Sequence, residues 1–227
     1  MLKKFFLIGL LFFSINIFAN NALWGTQSTS PTCYKPNQTS IIAQAPTLPA
    51  KILNYAMTAY NHLCQSGHDS QGILTVVDYT KPSTDPRLWV IDLKDSKVLE
   101  TALVAHGKGS GDNDATIFSN DPGTFASSIG VYLTGTTYYG SHGYALRLQG
   151  LEPGVNDNAY KRTIVVHSAW YVSENFAKKY GHLGRSWGCF ALSKDIYKSI
   201  IAHIKSGTVF FVYYSDEDWL RSSTFLH

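Results

Sequence analysis

The chain has 227 residues, of which 44% are apolar, 14% aromatic and 15% charged. This composition excludes a disordered, collagen-like or coiled-coil chain and is typical of a globular protein. The formal net charge is only +3, so no nucleic-acid partner is expected.

The first 19 residues have the pattern of a secretory signal peptide. Two lysines precede the apolar run 5–18, which is followed by small Ala19. A transmembrane anchor is the alternative, but the run is shorter than the roughly 20 apolar residues that span a bilayer, and Ser14 and Asn16 interrupt it. We expect cleavage after Ala19, or otherwise after Ala22, and a protein of the periplasm or cell envelope without stable membrane insertion.

Beyond the signal peptide, the sequence predicts one main domain with short flanking parts. Residues 20–71 form a lead-in segment and a docking helix, 72–215 the main domain, and 216–227 a short C-terminal tail. The polar stretch 23–46 has no periodicity and is expected to be irregular. From Pro49 to Gln65 the apolar residues share one helical face, which indicates an amphipathic helix.

The main domain is predicted to be mostly β with a few helices, an α+β fold. Short helices are expected at 173–179 and from Ser193 to Gly207. Strands are expected at 73–79, 88–93, 98–106, 129–139, 144–148, 163–167 and 208–214, two of the first three forming a hairpin. Residues 107–127 form a loop of about 20 residues, longer than a plain connection needs, so we expect a lid over a site, or otherwise a surface insertion.

The three cysteines give one pair and one remainder in an oxidising compartment. Cys33 and Cys64 lie in the same N-terminal stretch, and joining them closes a loop of about 30 residues, which stabilises the fold by about 3 to 4 kcal/mol. The alternative is that all three are buried thiols. On the first interpretation Cys189 stays free.

The strongest chemical signal combines His167, at the end of a buried strand, with Cys189, after a Gly-rich loop. A thiol attacks as thiolate, and a neighbouring imidazole can take its proton, so this pair is the minimal unit for acyl transfer. Gly188 lets the amides around Cys189 turn toward the oxygen of a tetrahedral intermediate. The alternative is a buried cysteine and a structural histidine.

The residues around this pair resemble a known family. HSAWY at 167–171 and GHLGRSWGCFAL at 181–192 resemble the active-site region of the YkuD-type L,D-transpeptidases, in the murein branch with a Gly-Arg-Ser-Trp-Gly-Cys motif. The resemblance extends to 105–135, 142–159 and 162–173, and so covers roughly 72–215.

The resemblance implies a mixed-β catalytic domain that acts on peptidoglycan stem peptides. Cys189 matches the nucleophile, His167 the general base, and Ser168 the neighbour that helps orient the imidazole. The implied reaction releases D-Ala, passes through a Cys189 thioester and forms a 3→3 cross-link. No metal or organic cofactor is implied, and no metal-ligand spacing is present in the sequence.

Two departures from the family pattern concern substrate binding. Trp187 stands where the broad family has a histidine, and His142 is a candidate replacement for that imidazole. Arg185 is a candidate for holding a substrate carboxylate, with a surface charge as the alternative. The candidates for substrate binding or the oxyanion are therefore Gly188, Ser186, Arg185, Trp187, His142 and Tyr144.

Two other functions stay open at this point. An L,D-carboxypeptidase or cross-link hydrolase would share the acyl-enzyme and transfer it to water. A non-catalytic cell-wall-binding protein would keep the fold alone, although the intact Cys189 and His167 argue against it.

Overall fold

The computed structural model describes residues 33–68, 71–141 and 143–227. The predicted signal peptide at 1–19 and the candidate His142 lie outside these residues. The helices are α1 (Gln38–Gln44), α2 (Ala50–Gln65), α3 (Glu174–Tyr180), α4 (Tyr197–Ile204) and α5 (Glu217–Ser222). The strands are β1 (Ile73–Asp78), β2 (Leu88–Asp92), β3 (Lys97–Ala102), β4 (Gly130–Gly140), β5 (Gly143–Gly150), β6 (Val165–Ser168), β7 (Phe190–Leu192) and β8 (Val209–Tyr213).

These eight strands form a single mixed sheet in the order β3-β2-β1-β8-β4-β5-β6-β7. The neighbours β1 and β8 are parallel, as are β6 and β7, and the other pairs are antiparallel. The predicted class, mostly β with a few helices, is confirmed. The predicted hairpin is formed by β2 and β3.

The middle of the sheet is buried because its strands are apolar at nearly every position. All five residues of β8 are buried, and so are five of the six in β1. The predicted amphipathic helix is α2, which buries Leu53, Ala56 and Tyr60 in the same core as these strands. A disulfide joins Cys33 to Cys64 in the last turn of α2, with the two Cα atoms 5.7 Å apart.

The expectation of irregular structure over 23–46 is wrong at its C-terminal end, where α1 forms. Asn37 caps this helix, its side-chain oxygen accepting the N–H of Ser40 at 3.1 Å. Ile41 is the buried residue of α1. A seven-residue helix with a single buried side chain gives too little periodicity to predict.

Two boundaries also differ from the expectations. The helix after the cysteine begins at Tyr197, because Ser193 accepts the N–H of Asp195 in a preceding turn and does not cap α4. The strand β3 ends at Ala102. The C-terminal tail contains α5, whose buried Trp219 donates its indole N–H to Glu152 at 2.9 Å.

Among the described residues, no helix is long and apolar enough to cross a membrane.

Candidate active site

A cleft of about 680 Å³ opens where β6 and β7 meet the loops beside them. Cys189 and His167 both line it, together with Arg162, Tyr171, Arg185 and Trp187. The predicted nucleophile and base are therefore in one cavity.

The parallel pairing of β6 and β7 accounts for this proximity. His167 is the register partner of Ala191, and Val166 is the partner of Phe190. Cys189 precedes β7 directly, so the same register continued by one residue places it beside Val165. Residues two apart on a strand share a face, so Cys189 and His167 lie diagonally on the same side of the sheet. The three-residue strand β7, which the sequence did not predict, is what positions the thiol.

The imidazole of His167 is buried and held by the main chain. Its Nδ1 lies 2.9 Å from the carbonyl oxygen of Ser168. A carbonyl only accepts, so Nδ1 carries the proton and Nε2 is the basic nitrogen of the neutral ring. Ser168 thus contributes its carbonyl group to the orientation of this imidazole.

The thiol of Cys189 is half-buried, and its Sγ donates to the carbonyl oxygen of Thr163 at 3.6 Å. Burial raises the pKa of Cys189, while the N–H of Val165 and the charge of Arg162 act in the opposite direction. The resting group is therefore a neutral thiol, which needs a base before it can attack.

The turn before Cys189 requires a glycine. Gly188 has φ +113°, and a Cβ atom there would lie 2.8 Å from the carbonyl oxygen of Ala126. The N–H of Gly188 donates to Oγ of Ser186 at 3.1 Å, and this hydroxyl donates to the carbonyl oxygen of Cys189 at 2.6 Å. Ser186 and Gly188 thus shape the turn, and the amide of Gly188 is engaged within it.

The other candidates from the sequence are spread around the cleft. Arg185 lines it and forms an ion pair with the exposed Asp112. Trp187 lies at the rim with 70% of its surface exposed. Tyr144 packs against Tyr139, with ring centroids 5.3 Å apart, and is not among the described residues that line the cleft.

The long loop after β3 forms one wall of the cleft. Pro122, Gly123 and Phe125 line the cavity, and the ring of Phe125 packs against that of Trp187 with centroids 5.3 Å apart. The loop also pairs with the cysteine turn through a bridge between Gly107 and Ser186. The described residues of 107–127 contain no helix or strand element.

A buried polar pair lies at the start of this loop. His106 is fully buried, and Nη2 of Arg87 donates to its Nδ1 at 2.8 Å. Burial, with the nearby charge of Arg87, lowers the pKa of His106 to about 4. His106 is therefore neutral and structural, with Nε2 directed at the carbonyl oxygen of Gly111.

Sequence reasoning missed two cleft residues, Arg162 and Tyr171. Both lie in the segment that resembles the family, but neither belongs to a motif that names a nucleophile or base. Burial, together with negative charge on Cys189, raises the pKa of Tyr171 to about 12, so the phenol keeps its proton. Its ring packs directly on the Cα atom of Gly184, where a Cβ atom would clash at 2.4 Å.

Among the described residues, no group of three or more His, Cys, Asp or Glu side chains is arranged to hold a metal ion.

Comparisons with solved structures find L,D-transpeptidases at low identity. The enzyme from Mycobacterium smegmatis is 17% identical, with 63% of this chain and 59% of the other covered and a TM-score of 0.38. L,D-transpeptidase 1 of Mycobacterium tuberculosis is 16% identical, with 63% and 62% covered and a TM-score of 0.36. The enzyme from Xylanimonas cellulosilytica is 13% identical, with 80% of this chain and 98% of the other covered and a TM-score of 0.36. This chain thus covers less than two thirds of either mycobacterial protein.

A comparison with curated proteins finds no match. The family model of the L,D-transpeptidase catalytic domain, in contrast, matches residues 44–213. The match begins ahead of the predicted domain boundary at 72 and includes α2. The chain therefore belongs to the family of L,D-transpeptidase catalytic domains.

Proposed function

We propose that this protein is an exported L,D-transpeptidase that joins peptidoglycan stem peptides by 3→3 cross-links through a thioester on Cys189. The proposal rests chiefly on one observation: Cys189, directly before β7, and His167, on the neighbouring strand β6, line one cleft. Membership of the family supports peptidoglycan peptides as the substrates.

The first half-reaction acylates the cysteine. Nε2 of His167 takes the thiol proton, and the thiolate attacks the carbonyl carbon between the third and fourth residues of the donor stem. The tetrahedral intermediate then collapses. The carbon–nitrogen bond breaks, the leaving amine takes the proton from His167, and D-Ala departs from the Cys189 thioester.

Negative charge develops on the carbonyl oxygen during this attack and needs a donor. Tyr171 lines the same cleft and keeps its phenol proton because its pKa is raised to about 12. We assign it as a donor to this oxygen, an interaction type worth about 3 to 4 kcal/mol. The main-chain N–H of Cys189 is a second donor in this scheme.

The second half-reaction transfers the acyl group. An amine of a second stem peptide gives a proton to Nε2 of His167 and attacks the thioester, and the thiolate leaves and is reprotonated. If water attacks instead, the same acyl-enzyme yields a free tripeptide, which is the L,D-carboxypeptidase reaction. The partition depends on how well the acceptor amine competes with water at the thioester.

The proposed location follows from the predicted signal peptide at 1–19. Cleavage would release the protein into the periplasm or cell envelope, where peptidoglycan lies. The disulfide between Cys33 and Cys64 fits such an oxidising compartment. Residues 72–215 would carry the catalysis, with the lead-in segment and α2 docked on that domain.

The test is the product spectrum from purified disaccharide tetrapeptide, followed by mass spectrometry with Cys189→Ala and His167→Ala as matched variants. We expect D-Ala release, an acyl-enzyme mass on the wild type, a 3→3 dimer, and no turnover in either folded variant. Tripeptide without dimer would replace the proposal by a hydrolase. Binding without turnover would indicate a non-catalytic wall-binding protein.

A further inference from the structure

We propose that Arg162 is a positioning residue for Cys189, which anchors the loop wall to the cysteine turn and holds a positive charge near the sulfur. The inference rests on the proposed role of Cys189 as the nucleophile. Arg162 belongs to no recognised catalytic pair or motif, and its place in the fold gives it this role.

The guanidinium of Arg162 is fixed by three neutral acceptors. Nη1 donates to the carbonyl oxygen of Ser119 at 2.6 Å and to Oγ of Ser128 at 2.7 Å. Nη2 donates to the carbonyl oxygen of Ala126 at 2.6 Å. Within the described residues, no carboxylate forms an ion pair with Arg162. The side chain is therefore immobilised without a direct ion pair, and it lines the cleft.

The backbone around Arg162 brings this charge to the thiol. The N–H of Thr163 donates to the carbonyl oxygen of Tyr160 and that of Ile164 to Ala159, so Thr163 closes the turn with φ +57°. A positive φ is strained for a β-branched residue and persists only where the surroundings hold it. In this conformation the Thr163 carbonyl meets Sγ of Cys189 at 3.6 Å.

The same guanidinium packs on the other side of the cysteine turn. A Cβ atom at Gly188 would lie 2.8 Å from the Ala126 oxygen that Arg162 binds, and 3.3 Å from Nη2 of Arg162 itself. Arg162, the loop carbonyl and the turn before Cys189 therefore form one packed unit. Loss of the three hydrogen bonds of Arg162 would free the loop wall. Loss of its positive charge would raise the pKa of the Cys189 thiol.

Electrostatics agree with this geometry. Burial raises the pKa of Cys189, and the charge of Arg162 opposes that rise. Burial also lowers the pKa of Arg162, and negative charge on Tyr132, on a Cys189 thiolate and on Asp121 opposes that change. The other titratable groups around Cys189 are His167, Tyr171, Arg185, Tyr138 and Tyr79.

Two variants separate the charge of Arg162 from its hydrogen bonds to the loop. Arg162→Met removes both the charge and the hydrogen bonds, whereas Arg162→Lys keeps a charge but cannot bind all three acceptors in the same geometry. Arg221→Met is the control, since Arg221 is an exposed cation on α5 that pairs with Glu217 and Asp218. Thermal unfolding is recorded for each variant to identify any that fail to fold.

The measurement is the rate of Cys189 alkylation by iodoacetamide as a function of pH, on the full mature chain with its disulfide intact. In Arg162→Met we expect the alkylation midpoint to rise by about one pH unit, a tenfold slower rate at neutral pH. Arg162→Lys should have an alkylation midpoint close to that of wild type, but it should unfold at a lower temperature than wild type. Arg221→Met should match wild type.

The inference is overturned if Arg162→Met is folded and its midpoint equals that of wild type. If Arg162→Met does not fold, Arg162→Lys decides through the same assay: an alkylation profile and a melting temperature equal to those of wild type would overturn the positioning role, and an unchanged midpoint with slower alkylation of the thiolate and a lower melting temperature would support it. Alkylation uses no peptidoglycan, so this inference and the proposed function fail separately. A shifted midpoint in a protein without turnover would contradict the function alone.

Discussion

Ser168 holds the imidazole of His167 through its main chain, the carbonyl oxygen accepting from Nδ1 at 2.9 Å. The family resemblance assigns Ser168 to orientation of this ring, and the hydrogen bond identifies the atom that does it. A main-chain acceptor survives any ordinary substitution of the side chain.

We therefore expect Ser168→Ala to keep kcat/KM for disaccharide tetrapeptide within about threefold of wild type, a barrier change well under 1.4 kcal/mol. Its effect should be far smaller than that of His167→Ala, measured under the same conditions. A loss of more than about 30-fold in folded Ser168→Ala would mean that the hydroxyl itself orients the base.

The disulfide gives a second prediction, which concerns stability. Replacing both Cys33 and Cys64 by alanine removes a cross-link between residues 31 positions apart without leaving a stray thiol. We expect the free energy of unfolding to fall by about 3 kcal/mol, because the unfolded chain regains the freedom that the cross-link removes. Urea titrations of the two proteins measure this difference.

Turnover should be spared in this double variant, because neither cysteine lines the cleft. Equal stability of variant and wild type would show that the bond adds nothing to folding. A specific loss of acylation in a folded double variant would instead connect α2 to the active site.

The sequence predicted the long elements and drew attention to Cys189 and His167, which line one cleft, because these have strong local signals. The helix α2 has a continuous apolar face, and the thiol and imidazole lie in recognisable motifs. The strand β7 has three residues, too few for any periodicity, yet its register with β6 is what brings Cys189 to His167.

Arg162 illustrates a different reason for a missed residue. Its role depends on a left-handed turn at Thr163 and on two carbonyl groups and a serine hydroxyl 34 to 43 residues away in the chain. Such a role has no sequence spacing of its own, because the acceptors are main-chain or serine atoms. Only the folded arrangement of the loop against the turn reveals it.

The buried His106 predicts a pH dependence of stability. As pH falls below about 6.5 the unfolded state takes up a proton, while the native state resists protonation until about pH 4. The free energy of unfolding is therefore unaffected by His106 well above pH 6.5, and it decreases as the pH falls toward 4. We expect wild type to lose about 2 kcal/mol between pH 7 and pH 5 from this source.

The matched variant is His106→Gln, which keeps an acceptor for Arg87 and does not titrate. Urea denaturation at pH 7 and pH 5 should show a smaller loss in this variant than in wild type, by the same amount. Equal losses in the two proteins would mean that His106 is protonated in the native state with no penalty.

Trp187 gives the last prediction, because it stands where the broad family has a histidine. Its ring packs on Phe125 and lines the cleft beside Cys189, although 70% of its surface is exposed. An apolar ring at this rim limits the access of water to a thioester while leaving the base and nucleophile in place.

We therefore expect Trp187→Ala to acylate, with tripeptide rising at the expense of 3→3 dimer in a mass-resolved digest. Tyr180→Ala is the control, since Tyr180 is an exposed aromatic residue on α3 and is not among the described residues that line the cleft. It should keep the wild-type ratio of dimer to tripeptide. A folded Trp187→Ala that forms no acyl-enzyme would contradict this account, because Trp187 would then bind the acyl donor in place of the histidine.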